Sequence, residues 1–259
     1  MPEAAVEFAD VSFVLPGGQA LLREINLKLE ACATTAILGR SGSGKTTLLR
    51  MVNGLVQPTS GRVSVFGASA AQDVLTLRRR IGYVIQETGL FPHLTVERNV
   101  AMPLELAGVT GNQPRTAEVL ALVGMDYDAF QARFPWQLSG GQRQRVGLAR
   151  ALAADPGVLL MDEPFGALDP LTRAEMQTML RGLLQQVHKT VLLVTHDLPE
   201  ALYLAQRLIF VDAGQVVADL PSGDVFVSEN PHVRRYVETL QRVAPMPARS
   251  ASPPAPSPL

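Results

Sequence analysis

Gly39-Arg40-Ser41-Gly42-Ser43-Gly44-Lys45-Thr46 places three glycines in eight residues and closes on a lysine and a hydroxyl. Glycine frees the backbone to turn successive N–H groups inward, so such a loop can cradle phosphate oxygens. Lys45 would then bring a mobile positive charge to the β- and γ-phosphates, and Thr46 a hydroxyl to Mg²⁺. The flanks agree with this reading. Thr34-Thr35-Ala36-Ile37-Leu38 is a short apolar, β-branched run suited to a buried strand, and Thr47-Leu48-Leu49-Arg50-Met51-Val52 continues with apolar residues at helical spacing. Strand, glycine loop and helix follow in the order that phosphate binding requires.

A second glycine-rich turn, Leu138-Ser139-Gly140-Gly141-Gln142, opens another helix. Its free N–H groups make a second anion-seeking helix end, and its target decides what the chain does.

Three apolar runs end in polar groups. Ile81-Gly82-Tyr83-Val84-Ile85 stops at Gln86, Val158-Leu159-Leu160-Met161 at Asp162-Glu163, and Val191-Leu192-Leu193-Val194 at Thr195-His196. Unbroken apolar runs suit parallel strands covered on both faces, and ligands of such sheets lie beyond the carboxyl ends of the strands. Asp162 there can face Mg²⁺, directly or through water, and Glu163 can point to the γ-phosphate and polarise an attacking water. Two adjacent carboxylates could otherwise be helix caps. His196 is either a γ-phosphate contact or a structural histidine, and the uncharged Gln86 can sense metal or water.

Around these motifs the chain changes character in blocks. Val11, Phe13 and Leu15 alternate before a Gly17-Gly18 turn, and Ile25, Leu27 and Leu29 alternate after it, which predicts an antiparallel β-layer ahead of the glycine loop. Pro58-Thr59-Ser60-Gly61 turns into a strand at Val63-Ser64-Val65-Phe66. From about Thr95 to Ala154 the spacing is helical, broken at Pro103, Gly108, Gly111, Pro114 and Pro135. Leu208–Val211 and Gln215–Ala218 read as a hairpin about Asp212-Ala213-Gly214. The Arg78-Arg79-Arg80 run reads as a solvated face. From Ala244 onward proline, alanine and serine dominate, a composition expected to stay disordered. The predicted organisation is a core of 1–86 and 155–243, a helical insertion of 87–154, and a tail of 244–259.

The 259 residues are 47% hydrophobic and 18% charged, ordinary values for a folded chain. A net charge of -1 offers no general attraction to nucleic acid. Cys32 is the single cysteine, which excludes an intrachain disulfide and a thiol zinc site and suits a reducing compartment. No apolar run is long enough to span a bilayer, and Met1-Pro2-Glu3-Ala4-Ala5 lacks a signal pattern, so the cytoplasm is expected.

In order and spacing, Gly39 to Thr46, Gln86, Leu138 to Gln142, Leu159 to Glu163, Ala167-Leu168-Asp169 and His196 resemble the ATP-binding-cassette (ABC) ATPases, the cytoplasmic subunits of ABC transporters. The resemblance covers nearly the whole chain. It implies an α/β P-loop NTPase core of RecA-like type, with an antiparallel β-layer and an inserted helical subdomain. It also implies ATP and Mg²⁺ as ligands, with ATP held by Gly39, Arg40, Ser41, Gly42, Ser43, Gly44, Lys45, Thr46 and Thr47. Thr46, Gln86 and Asp162 are the implied metal-side residues. Glu163 is the implied general base, His196 the switch histidine, and Lys45 and Gln86 complete the catalytic set. The signature residues Ser139, Gly140, Gly141 and Gln142 are implied to meet the ATP of a second chain, since cassettes of this family stack head to tail, and Asp169 is implied to be the D-loop residue of the nucleotide site. Where the family usually places an adenine-stacking aromatic this sequence has Leu15, with Phe13 two residues earlier.

The implied partners are a second copy of the chain or a paralogous cassette, integral membrane permease subunits, and indirectly a periplasmic or lipid-anchored solute-binding protein. The implied location is the cytoplasmic face of the membrane. Chromosome-type cassettes carry long coiled coils between the two glycine motifs; this chain has no sustained heptads there, and no nucleic-acid partner is expected. Residues 81–96 and 162–173 are most similar to importers of glycine betaine, choline and related osmoprotectants, with amino-acid or sulfonate importers and lipid or drug exporters as alternatives. Leu90, Phe91 and Leu94 either receive a helix from the membrane subunit or pack locally.

Overall fold

Every residue of β3 (Thr34–Gly39) is buried, and the strand lies inside a six-stranded sheet. In spatial order that sheet runs β10 (Gln215–Pro221), β9 (Arg207–Asp212), β3, β8 (Thr190–Thr195), β7 (Val158–Asp162) and β6 (Ile81–Val84). The five strands from β9 to β6 are parallel, and β10 turns back antiparallel on β9. The computed structural model describes residues 4–86 and 88–243; the tail expected to be disordered lies outside the described residues. The β9–β10 hairpin closes through Ala213 (φ 47°) and Gly214 (φ 78°), the left-handed pair that matches strand twist in a two-residue turn.

A smaller antiparallel sheet runs β2 (Ala20–Glu30), β1 (Ala4–Val14), β4 (Ser60–Val65) and β5 (Ala68–Ser69). The layer therefore also takes two strands that follow the glycine loop in sequence. Alternation along the parallel strands divides the interior in two. Ile37, Leu160, Leu192, Val194 and Ile209 face the small sheet, where they pack with Val6, Phe8, Leu27, Leu48 and Leu49. Leu38, Leu159, Met161, Leu193 and Phe210 face the other way, into a core of helices. Because both faces are covered, the strands read as continuous apolar runs.

The helices are α1 (Lys45–Val52), α2 (Val74–Arg79), α3 (Val96–Leu106), α4 (Gln113–Leu122), α5 (Tyr127–Phe130), α6 (Gly140–Ala153), α7 (Pro170–Val187), α8 (Leu198–Leu204) and α9 (Pro231–Val243). Four of them, α3 to α6, lie between β6 and β7 in the chain, where helical spacing was expected. α6 presses its last turn on β6 at Gly82, where any Cβ would run into the Ala151 carbonyl. Among the described residues no helix is long and apolar enough to cross a membrane.

The arginine run is exposed as expected, yet it is not idle. Arg78 donates to the Asn53 and Gly54 carbonyls, at 3.1 and 3.3 Å, and the Arg80 guanidinium lies 4.6 Å above the Phe66 ring.

Candidate functional site

The pairing register sets Gly39, Asp162 and Thr195 at one edge of the sheet: Leu38 lies beside Thr195 and Gly39 beside Val211, while Asp162 pairs with Val194. From Gly39 the chain enters the glycine loop and then α1. A side chain at Gly39 would strike the Val211 carbonyl and Ser43 Oγ, so only glycine lets the loop leave the strand this way. Gly42 and Gly44, with φ 79° and 99°, take left-handed conformations that turn the loop.

Lys45 is 6% exposed, and its ammonium donates to the Gly39 carbonyl at 2.9 Å and the Arg40 carbonyl at 3.1 Å. Burial lowers its pKa, opposed by the charges of Glu163 and Asp162. Among the described residues, Ser43 Oγ is buried with no hydrogen-bond partner. Buried hydroxyls are normally paired, so this orphan inside a glycine loop fits a phosphate oxygen. Thr46 Oγ1 donates to Asp162 Oδ1 at 2.9 Å, and the Tyr83 hydroxyl approaches Asp162 Oδ2 at 3.5 Å. Asp162 is itself 6% exposed; burial raises its pKa, opposed by Thr46 and Arg50 and assisted by Glu163. A hydroxyl and a carboxylate oxygen side by side are hard donors of the kind Mg²⁺ takes.

Glu163 follows with φ 44°, a left-handed conformation that is strained for a residue with a side chain. Its N–H is fixed on the Val194 carbonyl at 2.9 Å. The strained turn sends consecutive carboxylates to different places: Asp162 meets Thr46, whereas Glu163 Oε2 lies 3.3 Å from His196 Nδ1. Gln86 reaches the same region, because a Cβ built on Gly166 would lie 3.8 Å from both Gln86 Nε2 and Glu163 Oε2. The structure thus gathers Lys45, Thr46, Asp162, Glu163, His196 and Gln86. Tyr83 and Arg50 also face Asp162 and were not singled out from sequence; a tyrosine within a strand gives no distinct signal.

The second glycine turn meets other residues. Ser139 caps α6 by accepting from the Gln142 N–H at 3.2 Å, and Gln142 Oε1 accepts from the Ser139 N–H at 2.9 Å. The turn packs on the start of α7: Cβ atoms built on Gly140 and Gly141 would lie 3.5 Å from Leu168 Cδ2 and 2.7 Å from Thr172 Cγ2. Asp169 caps α7 by accepting from the Thr172 N–H at 3.1 Å. Among the described residues, no hydrogen bond or ion pair joins Ser139–Gln142 to the glycine loop. Phe13 is half-buried and packs against the core beneath the small sheet.

A glycine loop between a buried strand and a helix, flanked by strand-end carboxylates, defines a P-loop nucleotide-binding fold. The chain belongs to the ABC transporter family, whose description matches residues 22–166. It is 44% identical over 211 residues to the choline transport ATP-binding protein OpuBA of Bacillus subtilis (strain 168), covering 80% of this chain and 55% of that one. Over 215 residues it is 46% identical to the glycine betaine uptake system ATP-binding protein YehX of Escherichia coli (strain K12), covering 82% and 69%. The taurine import ATP-binding protein TauB of Pseudomonas putida is 47% identical over 222 residues, with 84% and 82% covered. The chain spans about half the length of several of the curated relatives it matches. Among solved structures, the dimeric bacterial ABC transporter cassette MJ0796 superposes with a TM-score of 0.75 at 33% identity, covering 84% of this chain and 98% of that one. The same cassette in a post-hydrolysis state bound to ADP and Pi matches equally well.

Proposed function

We propose that the chain is the ATP-hydrolysing subunit of an ABC importer and works as a head-to-tail pair around two ATP molecules. The observation that carries this reading is the meeting of the Thr46–Asp162 pair with the Glu163–His196 pair beyond the strand ends of one glycine-loop sheet. The dimeric and ADP-bound states of the MJ0796 cassette support it.

In this reading Gly39 to Thr47 hold the phosphates, and Lys45 leaves its loop carbonyls for the β/γ oxygens. Thr46 and Asp162, with Gln86, would hold Mg²⁺, which neutralises phosphate charge when bound. Glu163 accepts the proton of the attacking water. His196 Nδ1–H donates to Glu163, an acceptor-only group when ionised, and so keeps that carboxylate aimed. The helices of 87–154 carry Ser139–Gln142 to the partner's nucleotide, and Asp169 lies at the same junction. Permease subunits would hold the pair at the cytoplasmic face of the membrane.

The decisive experiment uses Glu163→Gln, which should bind ATP without turning it over. Gel filtration with Mg-ATP should show a dimer; a monomer alone would overturn the paired site or the role of Glu163. For the cargo we infer a quaternary-ammonium osmoprotectant of the choline and glycine betaine type, supported by the similarity to OpuBA and YehX. TauB, at slightly higher identity and fuller coverage, favours a sulfonate as the second reading. Competition of choline, glycine betaine and taurine for labelled solute uptake, in vesicles carrying the whole transporter, separates the two.

A further inference from the structure

Glu200 is an ionisable group that the chemistry above leaves unused. It is 5% exposed, in the first turn of α8, four residues after His196. Its N–H donates to Asp197 Oδ1 at 3.0 Å, and the Asp197 N–H donates to Thr195 Oγ1 at 3.0 Å, so residues 195–200 close a turn around the histidine. The Glu200 carboxyl faces the Thr195 hydroxyl and reaches α7, where Oε2 accepts from Gln177 Nε2 at 3.3 Å.

The other half of this arrangement is incomplete. Glu200 Oε1 is buried without a partner among the described residues, and so is Nε of Arg173, one turn before Gln177 on α7. Arg173 is tied instead to the Leu168 carbonyl through Nη2, at 3.1 Å, beside the Asp169 cap. A buried carboxyl and a guanidinium, each with one unpaired buried atom among the described residues, thus flank the joint between the His196 loop and the helix that begins at Asp169. Unpaired buried polar atoms are costly, which favours closing such a pair.

Resting on the ATPase reading above, we propose that Glu200 is a positioning residue: with Arg173 it forms a latch that sets the 195–197 turn against α7, so that His196 and the Asp169 loop move together. Burial pushes the Glu200 carboxyl up to about 7; Asp197 adds to the rise, while Thr195, Gln177 and Arg173 oppose it. A carboxyl so placed responds strongly to the approach of one guanidinium.

The test compares the full chain with Glu200→Gln and Arg173→Met by two readouts. The first is the NMR signal of the His196 ring, assigned by its loss in His196→Gln. The second is steady-state ATP hydrolysis. The latch requires both variants to shift the His196 signal while those of His93 and His188 stay in place. It also requires kcat to fall roughly fivefold or more with KM for ATP within about twofold, the mark of a lost transition-state interaction. An unmoved His196 signal in both variants overturns the latch, whatever happens to hydrolysis, and so does a wild-type kcat in an active enzyme. If the unaltered chain fails to hydrolyse ATP, the ATPase reading falls, and the His196 signal still decides whether the latch exists. Should Arg173→Met fail to fold, Glu200→Asp, which keeps the charge and shortens its reach, supplies the second comparison under the same criteria.

Discussion

Gly141 answers to a neighbour inside its own chain. Alanine is the better helix former by roughly 0.5–1 kcal/mol, so an open site near the start of α6 would gain from Gly141→Ala. A Cβ there would instead lie 2.7 Å from Thr172 Cγ2, and overpacking of that kind typically costs about 1–3 kcal/mol. The clash should win: Gly141→Ala is expected to lower the unfolding free energy by about 1 kcal/mol in urea titration. Adding Thr172→Ser, which deletes the offending methyl, should reverse the sign. If the single variant were as stable as the parent, Thr172 would not be what keeps the position small. Sequence reading explains Ser139, Gly140 and Gly141 by a nucleotide on another chain; the contact with α7 was invisible to it because Thr172 is distant along the chain. The residues around the P-loop were legible for the opposite reason. Lys45 and Thr46 stand out because they close a glycine run, and Asp162 and Glu163 because they end an unbroken apolar strand, while Tyr83 and Arg50 are fixed only by tertiary placement.

The loop that leads into α3 is pinned by one side chain. Asn99 is fully buried; its Oδ1 accepts from the Phe91 N–H at 2.8 Å, and its Nδ2 donates to the carbonyls of Phe91, Leu94 and Thr95 at 3.0–3.1 Å. Asn99→Asp would turn a carboxylate oxygen toward those three carbonyls, and a cost on the order of 3 kcal/mol is expected in chemical unfolding. Phe91, 41% exposed, should tolerate alanine within about 1 kcal/mol. If this segment receives a helix of the permease, Phe91→Ala leaves hydrolysis by the free subunit intact and abolishes uptake; normal uptake would remove the segment from the coupling surface. At this scale β3, β6, β7 and β8 were legible as unbroken apolar runs. Helices α2, α7 and α8 were not, although each begins at an aspartate that accepts from the N–H three residues on: Asp73 to Thr76, Asp169 to Thr172 and Asp197 to Glu200. An aspartate followed by proline within two residues, as at Asp169-Pro170 and Asp197-Leu198-Pro199, is the start signal that would have found two of them.

Across the molecule, the pH dependence of stability has an unusual contributor. The Glu200 carboxyl rises from 4.5 to about 7 on folding, so between those values the folded chain binds more protons at this site than the unfolded one. Its contribution to stability is therefore full below about 4.5, declines as pH rises, and is lost above about 7. Thermal or urea unfolding of the parent and Glu200→Gln should show a stability difference that falls across this window and is level beyond it. A difference that is level or rising throughout would falsify the assignment. The same scale shows why one strand order was harder to read than one strand. β4 and β5 join β1 and β2 across an intervening P-loop, and only the pairing of Val6 with Val65 and Phe8 with Val63 shows that the layer is built from both sides of it. One feature of α6 bears on how such a chain can change over generations. Because Ser139 and Gln142 satisfy each other reciprocally, the donors left without a partner at that helix end, among the described residues, are the main-chain N–H groups of Gly140 and Gly141. If that helix end meets the partner's nucleotide as proposed, the docking surface is made of backbone and presents almost no side-chain target for point mutation. Drift can erase it by adding bulk or undoing the cap, but cannot easily retune it, so two diverging copies of this chain would keep compatible faces long after their other surfaces had parted.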